Sequence, residues 1–87
     1  MEVSYTPKFL RVLRSLPSSL QGEAIEAIDL LKDPTKHKQL KVHKLHGNFR
    51  GCFALSVNYK IRIIFQYLAK PKRASLLTID SHDVYNS

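Results

Sequence analysis

Between Asp33 and Asp80 the chain carries no carboxylate side chain. Over the same stretch it carries Lys36, Lys38, Lys41, Lys44, Arg50, Lys60, Arg62, Lys70, Lys72 and Arg73, and the formal net charge of the whole chain is +7. One-sided charge repels itself in a compact state, so the composition points to a partner that supplies the missing negative charge. Nucleic acid is the abundant polyanion that rewards clustered Lys and Arg, through release of counterions from its phosphates. Cysteine is almost missing as well. Cys52 stands alone, which excludes an internal disulfide and fits a reducing compartment. His43 and His46 are three apart, but no second ligand pair at structural-zinc spacing accompanies them, which argues against zinc. No apolar run approaches the roughly eighteen residues of a membrane-spanning helix, and nothing at the N-terminus reads as a signal peptide. The expectation is a cytoplasmic protein with no membrane partner.

What the sequence does contain is enough for one domain over its 87 residues, with a modest core. Residues 2–6 alternate polar and apolar and predict a short first strand. Thr6-Pro7 is a helix start, since Thr can cap and Pro is pre-set for the first helical position. Phe9, Leu10, Leu13 and Leu16 follow at helical spacing up to Pro17. Ser18 with Gln21 resembles a capping box. Leu20, Ala24, Ile25, Ile28 and Leu31 then form an apolar stripe that ends at Asp33-Pro34. The two helices make a helical hairpin. Residues 35–48 are polar and weakly patterned and read as a loop.

Beyond that loop the period changes to two. Phe53, Leu55 and Val57 alternate with Cys52, Ala54 and Ser56. Asn58 turns the chain, and Tyr59, Ile61, Ile63, Phe65 and Tyr67 form the apolar set of the next strand. These sets should face the helices. A turn at residues 69–72 and a last strand over 74–80 complete a β-α-α-β-β-β order, an α+β fold with two helices on one face of a mainly antiparallel sheet. If Ile61 and Ile63 face the helices, Arg62 must face the other way. Two readings of Arg62 are open on the residues alone: a solvated arginine with its stem packed, or a guanidinium that holds a ligand.

Three local patterns, in this order, carry a resemblance. They are Lys44-Leu45-His46-Gly47-Asn48-Phe49-Arg50-Gly51, then Tyr59-Lys60-Ile61-Arg62-Ile63-Ile64-Phe65, then Leu76-Leu77-Thr78-Ile79-Asp80-Ser81-His82-Asp83-Val84-Tyr85. Together with the helical hairpin before them they resemble the RelE/ParE toxin superfamily of bacterial and archaeal toxin–antitoxin systems, over nearly the whole chain. The resemblance implies a metal- and cofactor-free endoribonuclease that cuts mRNA on the ribosome, and a cognate antitoxin as partner. It implies that Arg62 holds the scissile phosphate and that His82 acts as proton acid or base. Tyr85 would stack on a base or assist proton transfer, with anchoring of the chain end as the alternative. His43 matches a loop histidine of YafQ-like members. Lys41, Lys44, Arg50 and Lys60 would contact RNA phosphates.

The chain also departs from the family patterns. Ser56 stands where YafQ-like members have a second histidine, and Lys60 where they have an aspartate. Ala54 and Ser56 stand where RelE-like members have lysines. A ParE-like inhibitor of DNA gyrase and an inactive module with the toxin fold are the competing expectations. The His82 and Tyr85 ending favours RNA cleavage over gyrase binding, because a gyrase inhibitor needs no proton-transfer pair.

Overall fold

The structure, a computed structural model, describes residues 1–81, so His82 and Tyr85 lie outside the described residues. Strand β1 (Glu2–Tyr5) leads into helices α1 (Pro7–Ser15) and α2 (Ser18–Lys32). Strands β2 (His43–Lys44), β3 (Phe53–Ser56), β4 (Ile61–Ala69) and β5 (Lys72–Ser81) follow. The sheet order is β1-β5-β4-β3-β2, with β1 parallel to β5 and every other pair antiparallel. The α+β architecture expected from the sequence is therefore present, with one small extra strand at the β3 edge.

Thr6 joins helix to sheet. Its Oγ1 accepts the Phe9 N–H (3.0 Å), its hydroxyl donates to the Leu77 carbonyl (2.9 Å), and its own N–H donates to the Leu76 carbonyl (3.1 Å). Leu77 is the extra residue of a bulge, because the β4–β5 register passes from Ile64↔Thr78 to Phe65↔Leu76. One hydroxyl thus caps α1 and satisfies a bulge carbonyl. Thr6→Ala is expected to destabilise the protein by about 1–2 kcal/mol, with Thr6→Ser recovering most of it in urea titrations.

The helical hairpin closes differently from the expected capping box. Pro17 is the N-cap of α2 and makes no side-chain cap bond. Gln21 instead reaches back, its Nε2 donating to the carbonyls of Leu16 (2.8 Å) and Arg14 (3.2 Å), which α1 leaves without helical partners. The buried stripe of α2 is Ala24, Ala27, Ile28 and Leu31, while Ile25 is 49% exposed. The first set keeps i, i+3, i+4, i+7 spacing; Ile25 is one residue off it.

Residues 35–48 are not the plain loop expected. Asp33 accepts both the Thr35 N–H (3.0 Å) and the Thr35 hydroxyl (2.7 Å), and a 3₁₀ helix runs over Pro34–Leu40. These bonds hold the Asp33 carboxyl below the usual carboxylate range. His37 Nε2 bonds the Leu31 carbonyl (2.7 Å), tying the 3₁₀ helix to the end of α2. The segment also delivers Leu40 to the core, fully buried. A second 3₁₀ turn, Gly47–Phe49, precedes β3.

The core lies between the helices and the sheet and contains Phe9, Leu31, Leu40, Leu55, Ile63, Phe65 and Leu76. Ile61 belongs to it too, and Phe53 and Val57 pack against it, as the strand alternation predicts. Tyr59 does not. Asn58 Oδ1 accepts the backbone N–H groups of Lys60 (2.7 Å) and Ile61 (2.9 Å), so the turn extends to Lys60 and Tyr59 sits at its tip, 83% exposed. Among the described residues no helix is long and apolar enough to cross a membrane.

Candidate functional site

The face of the sheet turned away from the helices can be built row by row. Arg62 lies between Ile61 and Ile63, both in the core, so it projects to that opposite face. In register beside it stand Ser56 on β3 and Asp80 on β5. Residues in one row of an antiparallel sheet share a face and have Cβ atoms roughly 5 Å apart. The next row on the same face is His43, Ala54, Ile64 and Thr78.

This face is not uniformly wet. Ala54 and Ile64 are completely buried, and Cys52 and Thr78 nearly so. These residues form a dry floor next to Arg62, which is half-buried and has its Nε out of contact with solvent. A guanidinium in such surroundings meets a weaker screening medium than one in open water, so its attraction for an anion is stronger. Ala54 and Ser56 put no positive charge into this part of the face.

Asp80 is a neighbour that sequence reasoning missed, since Arg62 has no carboxylate near it along the chain. Counting back along both strands from the Ala69↔Lys72 end of the β4–β5 hairpin would set Ile79 opposite Arg62. The bulge at Leu77 shifts that count by one and brings Asp80 into the row instead. Only a signal for the bulge could have revealed the pair, and Leu76-Leu77 gives none.

His43 is exposed on the edge strand, on the same face as Arg62 but two strands and one row away, roughly 12 Å by ideal sheet spacings. Its Nδ1 lies 2.9 Å from the Lys41 carbonyl. A carbonyl can only accept, so the proton of the neutral ring belongs on Nδ1 and Nε2 presents its lone pair outward. Lys41 itself takes a left-handed conformation (φ 52°, ψ 47°) at the end of the 3₁₀ helix, which redirects the chain into β2.

The basic residues do not form one cluster. Lys44 pairs with Phe53, a helix-side residue, so it points away from the Arg62 face. It lines a separate groove of about 340 Å³ with His46 and Arg50. Lys60 is exposed at the β3–β4 turn, its Nζ 5.7 Å from the centre of the Tyr59 ring. Thus the structure brings Arg62 and His43 to one face, sets Lys41 and Lys60 near its edge, and places Lys44 and Arg50 elsewhere. Glu23, Glu26 and Asp29 are exposed on α2, and Glu23 reaches the β3–β4 turn, where its Oε2 accepts from Asn58 Nδ2 (3.0 Å).

No protein-family model matches the sequence, and no curated protein matches it. Solved structures do. The toxin–antitoxin complex RelBE2 from Mycobacterium tuberculosis matches with a TM-score of 0.72 and 19% identity, over 93% of this chain and 96% of that one. The archaeal RelE–RelB complex from Pyrococcus horikoshii gives 0.71 and 23% over 92% of each chain. YafQ from E. coli gives 0.71 and 13%, over 99% of this chain and 98% of that one. At these identities the likeness is one of fold, and the chain has the fold of the RelE/ParE toxins.

Proposed function

We propose that this chain with the RelE/ParE toxin fold is the toxin of a type II toxin–antitoxin system, and that it cleaves mRNA on the ribosome. The observation that carries the reading is Arg62: a half-buried guanidinium in a central strand, facing away from the core beside a dry floor. In the proposed reaction the RNA 2′-oxygen attacks the adjacent phosphorus while the bond from phosphorus to the 5′-oxygen breaks. The products are a 2′,3′-cyclic phosphate and a 5′-hydroxyl. A base must take the 2′-hydroxyl proton, and an acid must give one to the leaving 5′-oxygen. Arg62 would hold the phosphate oxygens through its fork of donors and stabilise the charge that builds up on them.

His82 is the proposed acid or base, since imidazole titrates near neutrality, with Tyr85 assisting. His43 is the proposed second proton group. Its outward Nε2 supports this, although reaching a phosphate at Arg62 requires the RNA to span the rows between them. Lys41 and Lys60, with Lys44 and Arg50 on the neighbouring surface, would contact phosphates of mRNA and ribosomal RNA and position rather than react. The matching RelE–RelB complex supports a cognate antitoxin as the partner that keeps the toxin silent.

Primer extension on mRNA in a translation reaction tests the reading. Cuts within codons are expected when protein and ribosomes are both present, and none with either alone. Intact mRNA in every reaction would overturn the endoribonuclease and leave the gyrase-directed or inactive alternatives.

A further inference from the structure

We infer that Tyr59 and the groove beside it form a stacking subsite for an unpaired nucleobase of single-stranded RNA, next to the phosphate site at Arg62. Tyr59 is the most exposed large hydrophobic side chain among the described residues. A tyrosine so placed loses contact with water only when something binds it. The groove beside it has a volume of about 360 Å³ and is lined by Tyr59, Gln39, Lys41, Ser56, Val57 and Asn58. Its walls therefore offer an aromatic face, amide and hydroxyl groups that can both donate and accept, and a lysine. That mixture suits a base with its edge polar atoms and attached phosphate better than an apolar protein anchor.

The platform is braced. Asn58 Oδ1 accepts two backbone N–H groups of the turn, and Asn58 Nδ2 donates to Glu23 Oε2 on α2 (3.0 Å). The turn is thus tied both to itself and to the helix layer, and little ordering is left to be lost on binding. Lys60 Nζ lies over one face of the ring, 5.7 Å from its centre, so a base would stack on the other face with a cation near its phosphate. Ser56 lines the groove and is also the in-register neighbour of Arg62, so groove and guanidinium share a residue boundary. Two residues, Lys60 and Ile61, separate Tyr59 from Arg62, so the two lie no more than about 11 Å apart along the chain.

The inference rests on the reading of the chain as a protein that acts on RNA, but its test needs no ribosome. Binding of a short fluorescein-labelled oligouridylate is measured by anisotropy, and the Tyr59 ring signals are followed by NMR. The ring signals are expected to move upfield as a base stacks. Tyr59→Ala is expected to weaken binding roughly tenfold or more, and Tyr59→Phe to stay within about twofold of the parent, since the ring and not the hydroxyl stacks. Unmoved ring signals at saturation, no binding by the parent, or an unchanged affinity for Tyr59→Ala would each overturn the subsite. If Tyr59→Ala loses affinity but ribosome reactions show no cleavage, the subsite stands and the endoribonuclease reading falls. Cleavage without any Tyr59 effect on RNA affinity overturns the subsite alone.

Discussion

Arg62→Ala is expected to cut mRNA cleavage on ribosomes by about 10²–10³-fold, the usual effect of removing one donor aimed at transition-state charge. The loss should fall on the cleavage rate and far less on ribosome binding, because docking is spread over many exposed cations while charge on the reacting phosphate meets this guanidinium. Arg62→Lys should recover little. A lysine offers a point charge, whereas a phosphate held in two places needs the planar fork. Stability must be measured alongside, since Asp80 shares the row and the substitution changes its surroundings. Arg62→Gln, which keeps the first two methylenes of the stem and removes the charge, is the control: folded and inactive is the expected result. His82→Ala should also relieve toxicity. A double variant of Arg62 and His82 that remained fully toxic would refute the site.

Asp80 sharpens the same argument. A carboxylate in the Arg62 row opposes any phosphate that enters there, and it does so because of the bulge at Leu77. Four of the five strands, their order along the chain and the direction of Arg62 were legible from the period-two pattern, since burial of one face decides parity. The bulge was not, because an extra residue in a run of Leu, Thr and Ile leaves every position apolar or small. The same limit explains the segment after α2. A 3₁₀ helix that buries only Leu40 has no stripe to show, and its order comes from Asp33, Thr35 and His37 bonding backbone. Gln21 follows Ser18 at capping-box spacing, yet its side chain serves a contact with the end of the previous helix. Ile25 fits the apolar stripe by spacing, three residues before Ile28, yet it lies at the border of the buried set Ala24, Ala27, Ile28 and Leu31 and stays half exposed. Of the candidate site, Arg62 was placed by parity. The scatter of Lys44 and Arg50 away from it depended on a two-residue strand that no pattern announced.

Phe65→Ala should have the largest effect on stability. Phe65 is completely buried in the core and in register with Leu76. Its ring lies 5.2 Å from that of Tyr67, edge to face, and 5.9 Å from Phe53. Truncating a buried Phe costs about 3–5 kcal/mol, and loss of the ring pairs adds to it. A small domain holds about 5–15 kcal/mol in all, and one of this size has little core to spare. The variant is therefore expected to lose most of its cooperative urea transition, while Phe65→Leu, which keeps most of the volume, should retain a transition at lower midpoint. A loss below about 1 kcal/mol for Phe65→Ala would mean that this face of β4 does not hold the core. Phe65 and Arg62 lie on opposite faces of one strand, three residues apart, so activity alone cannot separate them. Urea midpoints can: Phe65→Ala should be inactive because β4 is no longer in place, and Arg62→Gln inactive with β4 intact.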